Sequence, residues 1–347
     1  MKIFEKIFAL IAVLILNFSI VYAEEEVPPE AQEIFDKINE LSKTREDVRK
    51  NFDFLNEQSH MLIKKFPDDK VVLIRAYNTI GKIYTLTERY DLARSYLNKS
   101  HQIKPTHHSV YFLFGLLEYE LKNYGKSNKF YEKSIELATD NELKSHCENN
   151  IGANYKEQKN FTEAIKHYTA SINYFPSALT YRNRGRIFAD EMKDYSTAIM
   201  DFNKAIELDA KYLDAYWSRA KAYYNLKNYS AALKDYKKVL ELDATKNNVY
   251  FRIGYCYSEL KNYSAAIEAY TKYLYYFPED KWAYNNRGWD CENIGDYATA
   301  IANYTQAILI DSNEGKFYRN RGRVYKKLGK TEQSEQDLKK ARQLGYN

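Results

Sequence analysis

YRNRGR stands at residues 181–186 and again, letter for letter, at 318–323. Three arginines in six residues would suit a phosphate or a nucleic acid, but a hexapeptide written twice also suits a repeated structural element. The neighbouring sequence decides for the repeat. YNTIGKIY (77–84), YFRIGYCY (250–257), YNNRGWDC (284–291) and YRNRGRVY (318–325) are one segment rewritten. Each leads into a short polar turn ahead of an aromatic, LKNY at 226–229 and 260–263 or IGDY at 294–297. A second run follows, such as AALKDYKKVLELD (231–243), AAIEAYTKYLYYF (265–277) or TAIANYTQAILID (299–311). Repeats begin near 74, 108, 145, 178, 213, 247, 281 and 315. A fixed period of about 34 residues settles the fold before any site is considered.

Within each repeat the apolar residues recur at helical spacing on both sides of the turn, which predicts two antiparallel helices. Pro105, Pro176 and Pro278 follow the second run, where a helix cannot continue. Position eight is small in every repeat (Gly81, Gly115, Gly152, Gly185, Ala220, Gly254, Gly288, Gly322), so the two helices can approach closely. Position seventeen is aromatic (Tyr90, Tyr124, Phe161, Tyr195, Tyr229, Tyr263, Tyr297). These rings are expected in the core, where they absorb much of the excess of 34 tyrosines.

These residues resemble the tetratricopeptide repeat family. Its run of aromatic, Leu-Gly, Tyr, Ala, aromatic and Pro is matched at Tyr250, Ile253-Gly254, Tyr257, Ala266, Tyr270 and Pro278, and the resemblance covers about residues 74–347. Glu118, where an aromatic is expected, and the missing tail of the last repeat are departures. The resemblance implies an all-α, right-handed superhelical solenoid of about eight helix pairs whose first helices line a concave groove. It implies a non-enzymatic scaffold that binds a protein or peptide segment in that groove, with no cofactor.

Composition agrees with an ordered helical chain. Apolar residues make up 45% and aromatics 16%, too much for a disordered protein, and 12 Gly and 6 Pro are too few for a hairpin-rich β fold. A net charge of +5 argues against a nucleic-acid binder. At the N-terminus Lys2 and Lys6 precede an uncharged stretch from Ile7 to Ala23, with small residues at Val21 and Ala23. Residues 1–23 therefore read as a secretory signal peptide and predict an exported protein, periplasmic, envelope-associated or secreted. An uncleaved membrane anchor is the rival, although the stretch falls short of the ~20 residues a spanning helix needs. The Lys, Asn, Ile and Tyr bias suggests an AT-rich genome and favours a bacterial envelope protein. Cys147, Cys256 and Cys291 are too few for a disulfide framework, and Cys256 and Cys291 read as buried thiols. No phosphate loop, nucleophile elbow or HExxH occurs, and His107, His108, His146 and Cys147 match no zinc spacing.

Residues 24–73 fit the period poorly. EEEVPP reads as a linker, followed by a divergent helix pair with stripes Ile34, Ile38, Leu41 and Val48, Phe52, Leu55, Leu62. Thr44 and Asp47 sit at capping-box spacing between them. The pair is expected to cover the open end of the array, and residues 332–345 to close the other end.

The hexapeptide can now be divided. Arg184 and Arg321 fall at position seven, where the family has an inward Leu, and Arg219 and Arg287 share that position. A buried guanidinium needs a partner. Position twenty-three of the same four repeats carries Asp201, Asp235, Asn303 and Asp337. The other four have Ile80, Phe114, Ile151 and Ile253 at position seven, opposite Tyr96, Phe130, His167 and Ala269. The pattern predicts the pairs Arg184–Asp201, Arg219–Asp235 and Arg321–Asp337, with Arg287–Asn303 a hydrogen-bonded variant. Arg182 and Arg186, like Arg319 and Arg323, are four apart and share one helix face, which in the family lines the groove.

The groove positions then hold Asn78, Lys82, Phe112, Leu116, Tyr119, Asn149 and Lys156 early in the array. Arg182, Asn183, Arg186, Trp217, Lys221, Tyr224, Phe251, Arg252 and Tyr255 follow. Trp282, Asn285, Asn286, Trp289, Lys316, Arg319, Asn320, Arg323, Lys326 and Lys327 complete the set. All three tryptophans are among them, and exposed Trp, Tyr and Arg dominate interface energies. The bland alternative is that these rings pack half-exposed between repeats. Residues 315–347 carry ten Lys or Arg against three acids, while 281–314 carry two against five. That asymmetry favours a partner with an acidic segment near the C-terminal end, or is only a solvated terminal face. A cell-wall glycan stacked on Trp217, Trp282 and Trp289 is the other function the sequence allows.

Overall fold

A computed structural model describes residues 26–346, so the expected signal peptide lies outside the described residues. Among those residues there are nineteen α-helices and no strand. The chain divides into two compact units, up to Ile187 and from Phe188, and the division falls inside one helix. None of the described helices is long and apolar enough to cross a membrane.

The N-terminal segment forms three helices rather than the expected pair: α1 (Pro29–Glu40), α2 (Arg45–Lys50) and α3 (Phe52–Lys65). The capping box is present, with Thr44 Oγ1 accepting from the Asp47 amide and Asp47 Oδ2 from the Thr44 amide, both at 3.0 Å. The break after α2 is made by Asn51, whose Nδ2 donates to the carbonyls of Leu41 (3.2 Å) and Asp47 (3.0 Å). A side chain that hydrogen-bonds its own backbone competes with helix continuation, and no apolar pattern announces that. Cations on rings tie the segment to the first repeat, Arg75 over Phe35 and Arg89 over Phe52, each at 4.2 Å. An ion pair joins Arg45 to Glu120.

The repeats follow as helix pairs. In the first unit these are α4 (Lys70–Leu86) with α5 (Tyr90–Ile103), α6 (His108–Glu120) with α7 (Tyr124–Leu137), and α8 (Asn141–Glu157) with α9 (Phe161–Tyr174). Helix α10 (Ala178–Asp190) contains the division. The second unit continues with α11 (Tyr195–Leu208), α12 (Leu213–Asn225), α13 (Tyr229–Leu242), α14 (Val249–Glu259) and α15 (Tyr263–Tyr276). It ends with α16 (Lys281–Asn293), α17 (Tyr297–Ile310), α18 (Gly315–Lys327) and α19 (Thr331–Gln343). Helix α4 begins before the expected start near 74 because Asp69 Oδ1 accepts from the amides of Val71 and Val72.

The turn LKNY has a backbone reason for its Lys and its Asn. Lys227 and Lys261 take left-handed φ values of 58° and 61°, a conformation that Gly295 (84°) occupies in IGDY. Asn228 and Asn262 then cap the second helix, accepting from the amides of Ala231 and Ala265. The aromatic is the first helical residue. It is half-buried in all seven repeats that carry it, not core as expected, because it sits at the open end of the pair. The core rings lie seven residues on, two turns into the helix: Tyr131, Tyr168, Tyr236, Tyr270 and Tyr304 are at most 1% exposed.

Those rings explain the small position eight. A Cβ on Gly115 would lie 2.7 Å from the Tyr131 ring, closer than side chains tolerate. Gly115→Ala is therefore expected to cost about 1–3 kcal/mol through overpacking, read from the denaturant midpoint. An unchanged midpoint would show that the helices do not meet so closely. All three cysteines are buried and free, and burial pushes the Cys147 and Cys256 thiols up to about 12 and that of Cys291 to about 11.

Candidate functional site

At position seven, two arginines form bidentate ion pairs. Arg219 donates to both carboxylate oxygens of Asp235 at 2.7 Å, and Arg321 to both oxygens of Asp337 at 2.8 Å. Arg287 Nε donates to Asn303 Oδ1 at 2.8 Å. Asp235, Asn303 and Asp337 are buried. Burial works against the charge of Arg219, but the hydrogen bonds it donates to Asp235 overcome this and raise the pKa. At Arg321 the Asp337 hydrogen bond is the leading influence and acts the same way. Arg287 faces a neutral amide, and burial lowers its pKa. Arg184 belongs to the first unit and the buried Asp201 to the second, so their pairing stays an expectation.

Each of the four position-seven arginines also makes a bond that sequence reasoning missed. Its Nη1 reaches the second helix of the preceding repeat: Arg184 to Thr169 (2.9 Å), Arg219 to Asn203 (2.7 Å), Arg287 to Thr271 (3.1 Å) and Arg321 to Thr305 (2.9 Å). The guanidinium thus ties one repeat to the next. A trace was available, since Thr or Asn stands at this position before every arginine-bearing repeat. Tyrosines three residues before and four after stand over it, Tyr216 and Tyr223 at 5.5 and 6.0 Å from Arg219 and Tyr318 and Tyr325 at 5.8 and 5.9 Å from Arg321.

In the second unit, the outward face of the first helices carries aromatics that are neither buried nor free. Trp217 stands edge-on to Tyr236 at 5.6 Å, and Phe251 edge-on to Tyr270 and Tyr273 at 5.6 and 5.2 Å. Tyr255 lies 5.2 Å from Tyr224 and 6.4 Å from Tyr229. Trp289 stands edge-on to Tyr263 at 5.7 Å and keeps 38% of its surface exposed. The ring at position seventeen thus forms a floor for position nine of the next repeat. Asn286 Nδ2 donates to the Tyr270 hydroxyl at 3.4 Å.

Several expected groove residues are already engaged. Arg323 donates to Glu292 through Nε (3.0 Å) and Nη2 (2.6 Å), and Lys327 Nζ donates to the same carboxylate at 2.9 Å. Burial would raise the Glu292 pKa, but those hydrogen bonds and charges hold it below the usual carboxylate value. Two of the cations counted toward an acidic partner are therefore already held by one carboxylate within the chain, which offsets one of their two charges. Lys221 pairs with Asp190 at 3.4 Å, and the buried Asn285 accepts from Asn320 at 2.8 Å. Lys316 lies 5.6 Å over Trp282, while Arg319 and Lys326 are exposed.

The repeat pattern itself is matched independently. The tetratricopeptide repeat description fits residues 74–107, 108–141, 213–245, 248–280, 283–314 and 316–344, and a further repeat description fits 191–227. The chain is a tetratricopeptide repeat protein. Among solved structures, a tetratricopeptide repeat protein from Parabacteroides merdae is 19% identical with a TM-score of 0.48, covering 69% of this chain and 94% of its own. MamA from Desulfovibrio magneticus is 19% identical (TM-score 0.47; 48% of this chain, 94% of that one). YrrB, described as having an unusual peptide-binding site, is 20% identical (TM-score 0.46; 51% and 91%). A comparison with curated protein sequences finds no match.

The first unit of this tetratricopeptide repeat protein departs from the expected groove. Asn78, Lys82, Phe112, Leu116, Asn149 and Arg182 are buried, not open to a ligand, and Arg186 is half-buried. Adjoining first helices come close enough here for Asn183 to donate to Asn149 at 3.0 Å, and Arg182 Nη1 is bonded to Asn183 at 3.0 Å. Among the described residues no three metal-ligating side chains gather.

Proposed function

We propose that the first-helix face of the second unit binds a segment of a partner protein without catalysing a reaction on it. The tetratricopeptide repeat is a protein-interaction scaffold, and this reading gives that role a location. The observation carrying it is Trp289, 38% exposed beside Tyr263, in line with the half-exposed Tyr255, Trp217 and Phe251. Rigid aromatics of this kind supply interface energy at low entropic cost. An acidic stretch of the partner would meet the exposed Arg319 and Lys326. The Lys2, Lys6 and Ile7–Ala23 pattern supports an exported location, and assembly of an envelope complex is the setting proposed.

Trp289→Ala is expected to reduce capture of the partner from a cell-envelope extract about tenfold or more. Met200→Ala, at a residue 67% exposed on a second helix, is expected to leave capture unchanged. Equal capture by all three proteins would remove this face from the account. Purified cell-wall glycan in the same assay separates the stacking alternative: loss of glycan retention in Trp289→Ala, with protein capture intact, would favour it.

A further inference from the structure

The loop between the sixth and seventh repeats, together with the end of α17, borders a shallow, open cleft of about 710 Å³. Its apolar lining is open to solvent: Phe277 and Ile310 are 39% exposed and Trp282 is 38%. Trp282, expected in the groove, therefore belongs to this edge. A contiguous apolar patch with a polar rim marks an interaction site more often than idle surface.

The charged lining narrows the ligand. Asp280 is fully engaged: Oδ1 accepts from the amides of Trp282 (2.8 Å) and Ala283 (3.1 Å), and Oδ2 from the Tyr273 hydroxyl (2.8 Å). Lys281 and Asp311 neutralise each other. The ammonium groups of Lys281 and Lys316 lie 5.7 and 5.6 Å from the Trp282 ring centre, so the ring already has its cations. Glu279 is exposed on the lining and makes no hydrogen bond or ion pair with the described residues. What the cleft offers a newcomer is thus an apolar surface and one uncommitted carboxylate, next to a repeat (281–314) with two basic and five acidic residues.

We propose that this cleft docks a bulky apolar side chain of a protein partner that carries a lysine or arginine next to it in sequence. The apolar group would pack against Phe277, Ile310 and the free surface of Trp282, and the cation would meet Glu279. This site is separate from the first-helix face and stands or falls independently of it.

The test uses the full chain with ¹⁵N-labelled tryptophan, the Trp282 indole resonance being assigned by its loss in Trp282→Phe. The probes are acetylated, amidated Gly-Ser-flanked peptides with Phe-Lys, Phe-Glu or Ser-Lys at the centre. Phe-Lys is expected to shift the Trp282 resonance at least fivefold more tightly than Phe-Glu, and Ser-Lys to leave it in place. Glu279→Lys, a surface change with no native bond to lose, is expected to reverse the order of the two Phe peptides. Equal affinities, an order unaffected by Glu279→Lys, or no shift at Trp282 would overturn the proposal. Shifts confined to Trp289 and Trp217 would reject this cleft while supporting the first-helix face.

Discussion

Replacing Asp235 by alanine is expected to destabilise the fifth repeat by about 3–5 kcal/mol, because it leaves the Arg219 guanidinium without its carboxylate. The side chain of Asp235 is 3% exposed and that of Arg219 18%, so water cannot replace the lost partner cheaply. The Arg219 tie to Asn203 weakens with it, since the fork that aims Nη1 is no longer held. The chain contains its own remedy: the sixth repeat places Ile253 opposite Ala269 at the same two positions, both buried. Arg219→Ile combined with Asp235→Ala is therefore expected to recover most of the loss, although either change alone is costly. Repeat arrays do not unfold as a single block. The transition is best followed through Trp217, which packs on Tyr236 in the same repeat, with Trp282 and Trp289 changed to Phe. A small loss for the single change and no rescue in the double would mean that this arginine is not structural.

The second large effect concerns pH. Asp290 is fully buried on α16; its Oδ1 accepts from Ser258 at 2.6 Å and its Oδ2 has no partner. Burial pushes its carboxyl up to about 7, the Ser258 hydrogen bond opposes this, and the nearby Glu259 adds to it. The folded chain therefore keeps this proton up to about pH 7, whereas the unfolded chain releases it near pH 4. Stability from this group is full below about pH 4, is lost as pH rises from 4 to 7, and is absent above. The span corresponds to a loss on the order of 4 kcal/mol. Asp290→Asn, which keeps the acceptor for Ser258 and carries no charge, is expected to be the more stable protein at pH 8 by that order. At pH 4 it is expected to match the parent. Parallel pH profiles of the two proteins would contradict the assignment.

Much of this was legible from the repeat, for a physical reason. A period of two helices fixes which positions of one repeat face each other, so Arg219–Asp235, Arg287–Asn303 and Arg321–Asp337 could be found by comparing repeats within a single chain. Contacts between repeats depend on how one pair is rotated against the next, and the period is silent on that. This is why Glu292 was not seen as the partner of Arg323 and Lys327, and why the bonds to Asn203, Thr271 and Thr305 were missed. Lys82 and Leu116 show the same limit: they are buried in the first unit while Trp289, at the equivalent position nine, stays half open in the second. Asn51 ended a helix through a side-chain bond that leaves no mark on the apolar pattern. The tyrosines of position seventeen were misjudged because an aromatic at a helix start reads the same whether it is covered or not.

The most direct test of the proposed function is a photo-crosslinking amino acid placed at Tyr255, on the first-helix face, and separately at Met200, on a second helix. Irradiation in a cell-envelope extract should yield one discrete protein adduct from position 255 and none from position 200. Adducts from 200 alone, or the same adducts from both, would contradict the account.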